Sequence, residues 1–343
     1  MAGQLRVGVV GAGGRAQAHC RALRRVDGVD LAAVCDVVPE RARETADEHG
    51  VPETYADHEA MLEERGADLD VAYVVTLPYH MDDLVTDCLR ADLHVFAEKP
   101  PGVTADQTRR WAALAEERDL RTMVGFQRRF HPLVAAAREA VTERSDVRYG
   151  VGTFHKQQLG DVGRGDGAYN ALLLDAVHVV DLLVAMGGGT TDVHGFYGQL
   201  FEPPERFDPL YANVFAGVLE FANGGIGLLN SNRTAGGRAL SFEMHGRAVS
   251  AYGEIHGDPE LDELVVQRDD EPFGDAERLR TPDVVAEPTP ETADGTAQLD
   301  RHFVEAVRED RPTRVSFREA VGTMEAVEGV LDGRRFDPAL DWS

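Results

Sequence analysis

The first sixteen residues constrain the fold more than any other stretch of the chain. Leu5-Arg6-Val7-Gly8-Val9-Val10 has the mostly apolar character of a strand covered on both faces, and it runs directly into Gly11-Ala12-Gly13-Gly14-Arg15-Ala16 and a helical pattern through Ala18, Leu23 and Val26. A strand, a glycine turn and a helix in that order make the phosphate-binding corner of a parallel α/β sheet. Gly11 permits the tight turn, Gly13 lets the backbone approach a pyrophosphate with Gly14 and Arg15 beside it, and Ala16 stands where helix packs on strand. A second strand, Leu31-Ala32-Ala33-Val34-Cys35, ends at Asp36, about twenty residues beyond the turn. An acidic residue there accepts ribose hydroxyls and repels a 2′-phosphate, which favours NAD over NADP. The alternative for Asp36 is a cap on the helix opened by Pro39. Arg41 and Arg43 on that helix leave NADP open.

Later strand ends fall on the same edge of such a sheet. Val71-Ala72-Tyr73-Val74-Val75 leads into Thr76-Leu77-Pro78-Tyr79-His80, placing Thr76, Leu77 and His80 beside the cofactor crevice; a helix N-terminus is an equal reading for His80. Leu93-His94-Val95-Phe96-Ala97 is a buried strand that Pro100 and Pro101 must stop, delivering Lys99 to a cleft, with Lys99-Pro100 a candidate for the cis form. Of the 35 Lys+Arg residues only Lys99 and Lys156 are lysines. Arginine stays protonated whereas lysine shifts its pKa, so a retained lysine suggests chemistry; a lysine capping a strand end is the alternative. Met123 to Phe130, containing Gln127 and Arg129, reads as a sixth strand leaving the first domain.

The formal net charge of -25, with 60 acidic residues spread along the chain and no basic stripe, excludes nucleic-acid binding as a function class, since phosphates would be repelled. Dispersed acidity with almost no lysine resembles proteins of salt-loving archaea and predicts loss of folding at low salt. No apolar run is long enough to span a membrane, and a strand so close to the first residue leaves no room for a signal peptide. Cys20, Cys35 and Cys88 have no metal-ligand spacing, so no metal is expected; buried thiols in a reducing cytoplasm account for them.

The organisation changes near residue 125, giving domains 1–125 and 126–343. Beyond Tyr149 strands follow one another directly, over 147–157, 190–200, 211–221, 226–233, 239–245 and 248–253, with Asn223-Gly224-Gly225 as a hairpin turn, so the second sheet is mostly antiparallel. One helix, Ala168 to Met186, carries Asp175, His178 and Asp181 at spacings of three on or near one face. A histidine among carboxylates in apolar surroundings is tuned for proton transfer; a core histidine held by a helix neighbour is the bland alternative. Arg129, His155 and Lys156 are candidate substrate contacts. Residues 258–296 read as surface hairpins and loops, and two helices follow near 297–310 and 317–333.

These residues together identify a resemblance. The GAGGRA turn followed by His19, Asp36, the Glu98-Lys99-Pro100 triplet, the VGFQRRF stretch and the Asp175-to-Asp181 helix are similar to the glucose-fructose oxidoreductase and inositol dehydrogenase (Gfo/Idh/MocA) superfamily over nearly the whole length. The resemblance implies an N-terminal Rossmann domain and a C-terminal α+β domain with a large, open-faced, mostly antiparallel sheet. It implies NAD or NADP held by Gly11, Gly13, Gly14, Arg15, Asp36, Thr76, Leu77, His80, Glu98, Lys99 and Gln127. It further implies that Lys99 steadies the oxygen of a sugar, cyclitol or polyol hydroxyl, that His178 takes its proton, and that Asp175 orients the pair. The sequence departs from the family pattern at Leu77, at Gln127 and at Asp175, which stands three residues before His178 instead of four. The resemblance also admits an NAD-retaining glycosidase or lyase and a non-enzymatic sensor. A broad open sheet face requires cover, so a homo-dimer or homo-tetramer is expected.

Overall fold

The computed structural model describes residues 4–157, 171–199, 212–270, 272, 275–286 and 288–335. The chain divides into two units, one of Met1–Phe130 with Pro290–Val321 and one of His131–Thr289 with Gly322–Ser343. No helix among the described residues is long and apolar enough to cross a membrane.

The first unit alternates strand and helix: β1 (Leu5–Val10), α1 (Gly14–Leu23), β2 (Val29–Cys35), α2 (Pro39–His49), β3 (Glu53–Tyr55), α3 (His58–Arg65), β4 (Val71–Val74), α4 (Met81–Arg90), β5 (His94–Ala97), α5 (Ala105–Glu117) and β6 (Thr122–Val124). Asp57 and Thr104 cap α3 and α5, accepting the backbone N–H of Ala60 and Gln107. The strands form one sheet in the order β3-β2-β1-β4-β5-β6, parallel throughout. The order reverses between β1 and β4, which opens a crevice at their carboxyl ends. Register aligns those ends, with Cys35 opposite Val10, Val10 opposite Val74, Val74 opposite Ala97 and Ala97 opposite Val124. The residues that follow, Asp36, Gly11, Thr76, Lys99 and Gln127, therefore leave the sheet along a single edge. Stacked Tyr73 and Phe96, 4.5 Å between centroids, fill the core beneath it. Burial pushes the thiols of Cys20 and Cys35 up to about 12.

Two expectations change here. The strand expected over 123–130 ends at Val124: the Phe126 N–H turns back to the Val124 carbonyl at 2.7 Å, and Gln127–Phe130 is a 3₁₀ turn. The boundary read at 125 also gives way to a discontinuous unit, because the returning chain zips along β6. Val124 N–H donates to Val315 O at 2.9 Å, Thr313 Oγ1 to Thr122 O at 2.6 Å, and Phe317 N–H to Thr122 Oγ1 at 3.1 Å.

The second unit contains α6 (Pro132–Thr142), β7 (Tyr149–Gln157), α7 (Val177–Gly187), β8 (Thr190–Gly198), β9 (Val214–Phe221), β10 (Ile226–Asn232), β11 (Thr234–Gly246), β12 (Val249–Ile255), β13 (Glu263–Arg268) and β14 (Glu277–Arg280). The last described elements are α8 (Thr296–Arg308) of the first unit, α9 (Phe317–Leu331) and the short β15 (Arg334–Arg335). The sheet order is β14-β13-β12-β11-β7-β10-β9-β8-β15, antiparallel except for the β7–β10 and β8–β15 pairs. Gly224, at φ 80°, makes the β9–β10 hairpin possible. Helix α7 lies close against one sheet face because β7 has glycines there: a Cβ at Gly152 would overlap Val179, and one at Gly150 would press on Met186. On the opposite face Tyr149, Phe196, Ile226 and Tyr252 are each 40–46 % exposed. Helix α6, which starts at Pro132 under a His131 cap, was not among the expected elements. The stretch read as surface hairpins and loops over 258–296 holds the β13–β14 hairpin, which extends the sheet. Residues 168–170, 200 and 211 of the expected elements lie outside the described residues.

Candidate functional site

The edge of the first sheet is built for a dinucleotide. Gly11 has φ 98°, its N–H donates to Cys35 O at 2.8 Å, and a Cβ there would run into the Val75 carbonyl oxygen. Only glycine fits. No atom lies within 4 Å of a Cβ placed on Gly13 or Gly14, so the backbone at the start of α1 faces open space. Its first turn has no acidic residue and no side-chain cap, which leaves N–H groups and the positive end of the helix dipole for an anion. Asp36 holds two backbone amides: Oδ2 accepts the Ala12 N–H and Oδ1 the Val38 N–H, both at 2.8 Å, but it does not cap α2, whose N-cap is Val38 with no side-chain cap. Each oxygen keeps a lone pair for a ribose hydroxyl. Thr76 is half-buried and Leu77 is exposed where β4 has ended, and His80 stacks edge-on against Tyr79 at the start of α4. The buried Gln127 offers an Oε1 that accepts no hydrogen bond among the described residues. An unsatisfied amide oxygen at this edge fits a polar ligand group. Arg129 instead donates to the Arg314 carbonyl at 3.3 Å.

Glu98 lies behind Lys99 and is buried. Its Oε1 receives Arg15 Nε at 2.9 Å and His19 Nε2 at 3.0 Å, and its Oε2 accepts the backbone N–H of Lys99 at 3.0 Å. Gly125 makes room for it: a Cβ there would sit 2.7 Å from Glu98 Oε1. Burial alone would raise the Glu98 pKa, but the Arg15 charge and the His19 hydrogen bond hold it far below the carboxylate range. Arg15 also reaches Thr296 Oγ1 at 2.9 Å and Asp294 at 3.4 Å. Glu98 and Arg15, expected at the cofactor, are thus bonded to each other, and the Lys99-Pro100 bond is cis. The sequence reading missed Asp300, whose two oxygens lie 2.9 Å from His19 Nδ1. Nothing in its local pattern marks it, because its partners are distant in sequence.

In the second unit His178 is buried on α7, and Asp181, three residues on, accepts the Thr323 hydroxyl at 2.9 Å. Asp175 lies in a π-helical turn, Leu172–Ala176, ahead of α7. Its Oδ1 is 3.5 Å from Lys156 Nζ and its Oδ2 pairs with the buried Arg233, a residue the sequence reading passed over. His155 and Lys156, neighbours on β7, point to opposite faces of the sheet, so only Lys156 shares the α7 side with Asp175.

Residues 5–126 match the model of an oxidoreductase family with an NAD-binding Rossmann fold, GFO_IDH_MocA. The chain is similar to the myo-inositol 2-dehydrogenase of Thermotoga maritima, 24% identical over 277 residues that cover 78% of this chain and 79% of that one. It is also similar to the rhizopine catabolism protein MocA of Rhizobium meliloti, 32% identical over 43% of this chain and 44% of that one. The fold is that of a levoglucosan dehydrogenase solved with NADH, at TM-score 0.82 and 18% identity over 95% and 96% of the two chains. An oxidoreductase of Agrobacterium radiobacter solved with NAD+, L-tartaric acid and magnesium gives TM-score 0.79 and 17% identity over 96% and 97%.

Proposed function

We propose that the chain, whose residues 5–126 match the oxidoreductase family GFO_IDH_MocA with its NAD-binding Rossmann fold, is a member of the Gfo/Idh/MocA superfamily and an NAD-dependent dehydrogenase acting on a CH–OH group of a sugar, cyclitol or related polyol. The observation that carries this reading is the registered sheet edge, on which the glycine turn, Asp36 and Lys99 follow neighbouring strands. Bound there, NAD would supply the hydride acceptor. An alcohol carbon gives up hydride readily only as its hydroxyl loses the proton, so the chain must provide a base and a cation at that oxygen. We assign the cation to Lys99 and the base to His178. Asp175, engaged by Arg233 and Lys156, anchors Lys156 as a donor to further substrate hydroxyls. Asp36 and the bare backbone at Gly13 and Gly14 bind the nucleotide, and Gln127 offers an acceptor to its nicotinamide amide. The exposed aromatic residues of the second sheet are proposed to be covered by another copy of the chain.

The test is a panel of sugars, cyclitols and polyols assayed in high salt with NAD and with NADP, following reduced-cofactor absorbance. Turnover with NAD is expected on at least one cyclic polyol, and Lys99→Ala should lower it by on the order of 10²–10⁴-fold. Product formation without net nicotinamide reduction would instead identify a lyase or glycosidase, and binding of NAD without any product would identify a sensor.

A further inference from the structure

His19 has carboxylate oxygens at both ring nitrogens: Asp300 at 2.9 Å from Nδ1 and Glu98 at 3.0 Å from Nε2. All three side chains are buried, His19 and Asp300 almost completely. A neutral imidazole has one N–H and one lone pair, so it could satisfy one carboxylate while turning its lone pair on the other. Burial makes that arrangement costly. The charges point the same way: Glu98, Asp300 and Asp294 bring three carboxylates to the single cation Arg15, and a protonated His19 offsets one more of them.

We propose that His19 is an imidazolium at neutral pH and a positioning residue, bonding Asp300 and Glu98 together and so fixing the carboxylate from which the Lys99 backbone amide hangs. Glu98 is the hub. It connects the start of α1 through Arg15, helix α8 through His19 and Asp300, and Lys99 through its own N–H. The remaining groups around His19 are Asp294, which reaches it only through Arg15, the adjacent Cys20, and the rings of Tyr73 and Phe96 at 5.7 and 4.8 Å. None of these competes for a ring nitrogen at the distances of the two carboxylates. Although burial and the Arg15 charge oppose a positive His19, the field of Asp300 and the hydrogen bonds that the ring donates to both carboxylates raise its pKa above the ordinary value. The consequence for catalysis rests on the dehydrogenase reading of Lys99; the protonation state does not.

Two spectroscopic measurements on the full chain test the proposal without needing a substrate. In protein labelled with ¹⁵N-histidine, one of the 12 histidines should keep both ring nitrogens protonated at pH 8, and its signals should vanish in His19→Gln. A spectrum with no doubly protonated histidine at pH 8 overturns the assignment. Reductive ¹³C-methylation then uses the fact that Lys99 and Lys156 are the only lysines: two side-chain signals result, with Lys99 assigned by Lys99→Arg. In Asp300→Asn the Lys99 signal should shift or broaden while that of Lys156 holds; a folded variant with both signals unmoved overturns the positioning role. Should Asp300→Asn not fold, His19→Gln serves for the same comparison. Once a substrate is known, the same variant should lower kcat by on the order of 10²-fold with little change in KM for NAD. Absence of turnover in the parent protein would refute the dehydrogenase reading and leave both spectra to decide the proposal.

Discussion

Glu98 and His19 titrate in opposite directions from their ordinary values, and stability should follow. The Glu98 pKa is depressed on folding, so its contribution is present above the unfolded carboxylate value of about 4.3 and is lost as pH falls through the folded value. The His19 pKa is raised, so its contribution is complete below about 6.5 and is lost as pH rises through the folded value. Urea unfolding in constant high salt should therefore give a lower midpoint at pH 9 than at pH 6.5, and His19→Gln should abolish most of that difference. An equal loss in parent and variant would place its origin elsewhere. At this scale the sequence carried Lys99, through its rarity, and Asp36 and Gly11, through their spacing. It did not carry Asp300 or Arg233. Asp300 and His19 are 281 residues apart, and no local pattern encodes a partner at that distance.

The element that best repays its sequence is the turn from β1 to α1. Gly11 combines a positive φ with a carbonyl at the place a Cβ would occupy, so Gly11→Ala must distort the turn. A stability loss of about 1–3 kcal/mol is expected, together with at least about tenfold weaker NAD binding by titration calorimetry, since the distorted backbone is the surface offered to the pyrophosphate. Unchanged affinity would mean that the nucleotide does not use this turn. Asp57 and Thr104 cap α3 and α5 by accepting an N–H three residues on, an interaction local enough for a short stretch of sequence to encode. Residues 127–130 turned out otherwise. Gly125 N–H still reaches the Ala97 carbonyl at 2.9 Å, but Phe126 N–H then turns back on Val124, and β6 goes no further. The π-helical turn at Leu172–Ala176 was equally silent, since an extra residue in one turn leaves the composition of the helix unchanged.

Over the whole molecule, Tyr149, Phe196, Ile226 and Tyr252 leave large apolar groups on one sheet face, a surface that isolated chains seldom keep in water. Light scattering in high salt should report a dimer or tetramer, and Tyr252→Glu with Phe196→Glu should shift it to monomer; a monomeric parent protein would refute the assembly. Taken alone, the amino-acid order determined the alternating α/β half, the largely antiparallel second sheet, the glycine turn and the acidic character, because each follows from periodicity, backbone freedom or composition within a short window. Only the tertiary structure decided that residues 290–321 belong with the first half, that Glu98 is held by His19 and Arg15, and that Asp175 is paired with Arg233 and Lys156. Those are pairings of polar groups far apart along the chain, chosen because burial makes an unpaired charge costly, and that cost exists only once the chain has closed around them.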